Sequence, residues 1–121
     1  MPIKKVLIVD DSPTERFFLS DVLRKEGYEV MTANSGEEGV ELAKQARPDL
    51  ILMDVVMPGL NGFQATRQLS RAAETSAIPV ILCTTKGQET DRVWGMRQGA
   101  IDYLVKPVQP ADLLAKVKAL H

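Results

Sequence analysis

The chain has 121 residues, 45% of them hydrophobic, with 15 basic against 16 acidic side chains. That suffices for one domain with an ordinary core and is too little for two. The near-zero net charge excludes a global field for nucleic acid or an anionic membrane, and no apolar run approaches the ~20 residues of a membrane span.

The amino-terminal apolar run is too short for a signal peptide and ends in carboxylates. The one cysteine, Cys83, cannot pair internally. Both features point to the cytoplasm.

Val6-Leu7-Ile8-Val9 is continuously apolar, as in a strand covered on both faces. Ser12-Pro13-Thr14-Glu15 follows as a capping box with proline at the first helical position. Phe18, Leu19, Val22 and Leu23 then recur at helical spacing, and Gly27 supplies the stop. Glu29-Val30-Met31 is the second strand. Ser35 and Glu38 repeat the box for a second helix, ended by Pro48. Leu50-Ile51-Leu52-Met53 is the third strand, and Asn61 caps a third helix that turns Phe63 and Leu69 inward. Ile78-Pro79-Val80-Ile81-Leu82-Cys83 is the fourth strand. A helix without a clear cap covers about residues 88–98 and stops at Gly99. Asp102-Tyr103-Leu104-Val105 is the fifth strand, and the last helix starts near Pro110 with Leu113, Leu114, Val117 and Leu120 packed inward.

Five strand–helix pairs in succession define an α/β fold with a doubly wound parallel sheet. Ligands of such sheets sit beyond the carboxyl ends of the strands. Strand 1 ends there in Asp10-Asp11, strand 3 in Asp54, strand 4 in Thr84-Thr85 and strand 5 in Lys106-Pro107.

Three neighbouring carboxylates repel one another, and a divalent cation relieves the repulsion. Oxygen ligands without His or Cys favour a hard ion, and Mg2+ fits because it keeps positions open for phosphate oxygens. Asp54 is then placed as a nucleophile toward a phosphoryl donor, with Lys106 and the Thr84 hydroxyl neutralising charge from the other side. Each residue has an ordinary reading when taken singly. Asp10-Asp11 could cap the first helix, Asp54 could serve a turn, Thr84 could simply end a strand, and Lys106 could be a solvated loop residue. Their coincidence at one sheet edge favours the chemical reading.

The chain resembles CheY-like receiver domains of two-component signalling over essentially its whole length. The resemblance rests on Val9-Asp10-Asp11 with Ser12, on Met53-Asp54-Val55-Val56-Met57-Pro58-Gly59 with Gly62, on Thr84, and on Tyr103-Leu104-Val105-Lys106-Pro107. It implies one receiver domain over residues 1–121, of the flavodoxin-like type with five strands in the order 2-1-3-4-5. Asp54 is then the phosphoacceptor. Asp10 and Asp11 bind Mg2+ with Asp54, Asp11 most directly, and the Val56 backbone carbonyl completes the protein ligands. Thr84 and Lys106 each bond a phosphoryl oxygen, and the Lys106-Pro107 peptide is cis. Within the family the chain looks most like single-domain regulators of the pilus-linked chemosensory system that controls twitching motility. That likeness lies in Ser12-Pro13-Thr14-Glu15, the stretch 58–68, the stretch 74–80 and the segment 88–100.

Phosphorylation is expected to draw Thr84 toward the new phosphoryl group and to let Tyr103 rotate into the vacated space. The changed face would comprise helix 4, strand 5 and helix 5, with Arg92, Met96, Tyr103 and Lys116 sharing that partner face. Two-component logic supplies a histidine kinase as phosphodonor and a downstream protein target, with the chain a monomer or a phosphorylation-dependent dimer. Thr85 stands where a smaller residue is usual, and Val56 and Lys86 are expected to flank the phosphoryl group. Trp94 is either a partner anchor or an ordinary half-buried aromatic. Cys83 reads as a small buried hydrophobe, and His121 is a poor candidate for a phosphohistidine.

Other functions fit less well. A phosphatase with an aspartyl-phosphate intermediate would place an acid two residues after its nucleophile, where this chain has Val56. A flavin or nucleotide site would want a Gly-rich loop after strand 1, where acidic residues stand. A phosphorylation-independent docking module and a phosphate sink both remain open. No conventional enzymatic turnover is expected beyond the chain's own phosphorylation and dephosphorylation.

Overall fold

A computed structural model describes residues 2–120, so His121 lies outside the described residues. Five strands and five helices alternate: β1 (Lys5–Val9), α1 (Pro13–Lys25), β2 (Glu29–Ala33), α2 (Gly36–Ala46), β3 (Leu50–Met53), α3 (Gly62–Arg71), β4 (Val80–Thr84), α4 (Glu89–Arg97), β5 (Asp102–Val105) and α5 (Pro110–Lys118). All strand pairs are parallel and the sheet order is β2-β1-β3-β4-β5, as expected.

The period of two along each strand divides the core. Val6, Ile8, Leu50, Leu52, Ile81 and Cys83 face Leu19, Leu23, Leu113 and Val117 of α1 and α5. Leu7, Val9, Ile51, Met53 and Leu82 point the other way, into a cluster with Val40, Ala65 and Leu69 of α2 and α3. Every residue of β3 and β4 is buried, which explains their unbroken apolar sequences. The edge strand β2 is far more open.

Local chemistry sets the helix ends. Ser12 accepts from the Glu15 amide and Ser35 from the Glu38 amide. The reciprocal half of a capping box forms at Asn61, where the Gln64 side chain accepts from the Asn61 amide. The Glu38 carboxylate reaches one residue further back, to the Asn34 amide, 2.7 Å away. The α4 cap residue Gln88 makes no side-chain capping bond. β4 starts two residues later than the apolar run, because the Ile78 amide closes a turn onto Thr75 and Pro79 has no N–H to donate.

Candidate functional site

Sheet register assembles the site. Val9 of β1 pairs with Met53 of β3, so Asp10 and Asp54 leave adjacent strand ends. The Asp54 amide donates to the Val9 carbonyl at 2.9 Å, and the Asp10 amide to that of Ala33 at 3.1 Å. On the other side Thr84 pairs with Val105, and the Lys106 amide donates to the Thr84 carbonyl at 2.8 Å. The Lys106-Pro107 peptide is cis. Gly62 opens α3 immediately against this edge; a Cβ there would stand 2.1 Å from the Asp54 carbonyl oxygen.

Asp10, Asp11 and Asp54 each present a carboxylate oxygen, and the three lie within 4.8 Å of one another. Asp10 and Asp54 are buried, whereas Asp11 is exposed. Lys106 Nζ lies 2.7 Å from Asp10 Oδ2 and 3.5 Å from Asp54 Oδ1. The other Asp10 oxygen accepts from the Ser12 amide at 2.9 Å.

Electrostatics follow from this crowding. Burial, then the Asp10 charge, pushes the Asp54 carboxyl up to about 6 against the opposing pull of Lys106. Burial also works against the Lys106 ammonium, but its hydrogen bond to Asp10 and the charges of Asp10 and Asp54 prevail and raise its pKa. Cys83 is buried behind the site and its thiol is pushed up to about 12, mainly by desolvation, so it offers no thiolate ligand at neutral pH. An all-carboxylate donor set with one exposed member fits a hard, oxygen-seeking dication.

Thr84 is wholly buried, and its Oγ1 accepts from the Lys86 amide at 3.3 Å. The Lys86 carbonyl in turn accepts from the Tyr103 hydroxyl. Lys86 thereby joins Thr84 to Tyr103 through its backbone, while its ammonium lies 4.0 Å from Asp91 at the start of α4. Tyr103 is only 2% exposed, turned inward with its hydroxyl on the β4–α4 connection. Thr85 is exposed, and the Val56 side chain is 57% exposed in the β3–α3 connection.

Arg92, Tyr103 and Lys116 line one surface groove of about 400 Å³ between α4, β5 and α5. Met96 is exposed on α4 but is not part of that lining. Lys116 also donates to Asp102 at 2.9 Å, tying α5 to β5. Burial opposes the Asp102 charge, yet this bond and the Tyr103 amide hold its pKa below the ordinary value.

Arg16 escaped the sequence reading: its guanidinium donates to the Asp10 carbonyl at 2.8 Å. A cation in the first turn of a helix opposes the helix dipole, and that anomaly was the available signal.

The receiver-domain family, described as response regulator receiver domain, matches residues 6–118. The chain belongs to this family. It is 62% identical to Protein PilH of Pseudomonas aeruginosa over 116 residues, covering 96% of each. It is 41% identical to the transcriptional regulatory protein AfsQ1 of Streptomyces coelicolor, covering 95% of this chain and 50% of that regulator. Among solved structures it is similar to the chemotaxis protein CheY4 of Vibrio cholerae, with a TM-score of 0.92 at 35% identity and coverage of 98% and 99%. Among the described residues no helix is long and apolar enough to cross a membrane.

Proposed function

We propose that residues 1–121 form one receiver domain that accepts a phosphoryl group on Asp54 from a histidine kinase and signals through the α4-β5-α5 face to a downstream protein. The observation carrying this reading is the cluster itself: three carboxylates at one sheet edge, with the Lys106 ammonium between Asp10 and Asp54. An Asp54 oxygen attacks the donor's phosphorus, the new O–P bond forms, and the P–N bond to the donor imidazole breaks. Lys106 neutralises the charge that accumulates on the transferring oxygens, and Thr84 is positioned to donate its hydroxyl to one of them. Asp10, Asp11 and Asp54, with the Val56 carbonyl, would hold Mg2+, which when bound lowers the repulsion between carboxylates and phosphoryl oxygens. The location is the cytoplasm. The pilus-linked chemosensory assignment, and with it twitching motility, draws on the shared segments and on the 62% identity with PilH.

Incubation with acetyl phosphate tests the reading. The chain should gain one phosphoryl group with Mg2+ and none with EDTA, and Asp54→Asn should gain none in either case. Incorporation by Asp54→Asn equal to that of the unaltered chain would sink the assignment.

One observation favours a second reading, docking without phosphorylation. Tyr103 is already inward and bonded to Lys86. Partner affinity that stays the same with and without the phosphoryl group would support that alternative.

A further inference from the structure

The groove assigned to signalling leaves one strongly marked surface unused. On α4, Trp94 stands two positions past Arg92, about 200° around the helix axis, and so faces α3 rather than α5. It is 48% exposed. It borders two shallow depressions, one shared with Asn61, Phe63 and Arg67 of the α3 side, the other with Val93, Arg97 and Glu89 on α4 itself.

The charges around Trp94 are unbalanced. Arg67 and Arg97 flank it, and among the described residues neither forms an ion pair or a side-chain hydrogen bond. Arg71 lies one turn beyond Arg67 on the same exposed stripe of α3, again without a partner among the described residues. Arg71 and Arg97 complement the dipoles at their helix ends. That interaction leaves their planar donor forks open for carboxylates. The one acidic member, Glu89, sits at the opposite end of α4.

We infer that the α3–α4 surface centred on Trp94 is a docking site for an acidic amphipathic segment of a partner protein. An apolar side chain of that segment would cover the Trp94 ring, and its carboxylates would meet Arg67, Arg71 and Arg97 along the C-terminal halves of α3 and α4. An exposed tryptophan flanked by two arginines has the composition of an interface hot spot. Three arginines on a chain of net charge −1 are too few to track a nucleic-acid backbone. Gly95 lets α4 pack closely here: a Cβ at that position would stand 2.5 Å from Leu82 Cδ1, with Phe63 and Tyr103 next nearest.

The test uses fluorescein-labelled amphipathic peptides that share one Leu/Phe face and differ in carrying Glu or Lys on the other, followed by anisotropy with the full chain. The Glu peptide should bind at least about tenfold tighter than the Lys peptide, with the difference shrinking as salt is raised. Trp94→Ala should weaken the Glu peptide at least about tenfold, and the paired change Arg67→Glu with Arg97→Glu should reverse the peptide preference. Arg92→Ala and Lys116→Ala, on the opposite flank, should leave binding unaltered. Equal binding of both peptides overturns the inference, as does loss of binding through Lys116→Ala. Tighter binding of a labelled oligo-dT, or self-association abolished by Trp94→Ala, would also overturn it, by assigning the surface to nucleic acid or to a second copy. None of these outcomes depends on phosphorylation of Asp54.

Discussion

Lys106 Nζ lies 2.7 Å from Asp10 Oδ2, although 96 residues separate the two in the chain. The contact closes the sheet edge from β1 to β5 around Asp54. It supplies positive charge to a buried pair of carboxylates that would otherwise repel one another.

Removing that charge should therefore damage both fold and chemistry. Lys106→Met keeps most of the side-chain stem and loses the ammonium. In EDTA the variant should be less stable by about 3 kcal/mol, the usual cost of stranding a buried charge, as measured by urea unfolding. Millimolar Mg2+ should restore part of the loss. Phosphoryl incorporation from acetyl phosphate should fall by about 10²-fold, as expected when one charge-stabilising donor is deleted.

Asp54 carries the opposite sign. Its carboxyl is raised on folding to about 6, so the folded state favours its protonated form. Between the unfolded value near 4 and about 6, ionisation costs stability, and above that range the full penalty applies. Asp54→Asn should thus be more stable than the unaltered chain at pH 7 in EDTA by about 2 kcal/mol, with a Tm several degrees higher. The two proteins should converge below about pH 4. A calorimetric pH series checks both the sign and the window.

Asp49 does structural work far from the site. Its Oδ2 accepts from the amides of Lys4 and Lys5, each at 2.9 Å, and these bonds lower its pKa. Its contribution is present above the unfolded pKa and is lost as pH falls through the folded one. Asp49→Ala should cost about 1 kcal/mol at pH 7 and nothing measurable at pH 2. Amide exchange at Lys4 and Lys5 should accelerate at neutral pH.

The Tyr103 hydroxyl is the direct tie between β5 and the β4–α4 connection. Tyr103→Phe retains the ring and deletes the donor. Stability should drop by about 1 kcal/mol, and amide exchange should rise across Lys86 to Gln88, while phosphoryl incorporation persists. Unchanged exchange in that stretch would show that the hydroxyl does not hold the connection.

Much of this was legible in the sequence because the chemistry was local. The strands β1, β3 and β5 read directly from apolar runs, and Pro13, Asn61, Gly99 and Pro110 marked helix ends through their own conformational limits. The failures share a cause. β2 continues to Ala33 because Thr32 and Ala33 pair with Ile8 and Val9, and such pairing leaves no trace in β2's own residues. Asp49 and Arg16 act through side-chain bonds to backbone atoms, and Lys86 through its own carbonyl accepting from Tyr103, contacts that the assembled fold brings together. At the site, the identities of Asp10, Asp11, Asp54, Thr84 and Lys106 came from position at strand ends. That Lys106 bridges two carboxylates depends on side-chain geometry and could not be read in advance.

The most direct measurement locates the phosphoryl group itself. The chain is treated with acetyl phosphate and Mg2+, reduced with borohydride, digested and sequenced by mass spectrometry. Reduction converts an aspartyl phosphate to homoserine, and the account places homoserine at residue 54 alone. Homoserine at residue 10 or 11, or a phosphoryl group on Thr84 or Thr85 that survives borohydride, would contradict it.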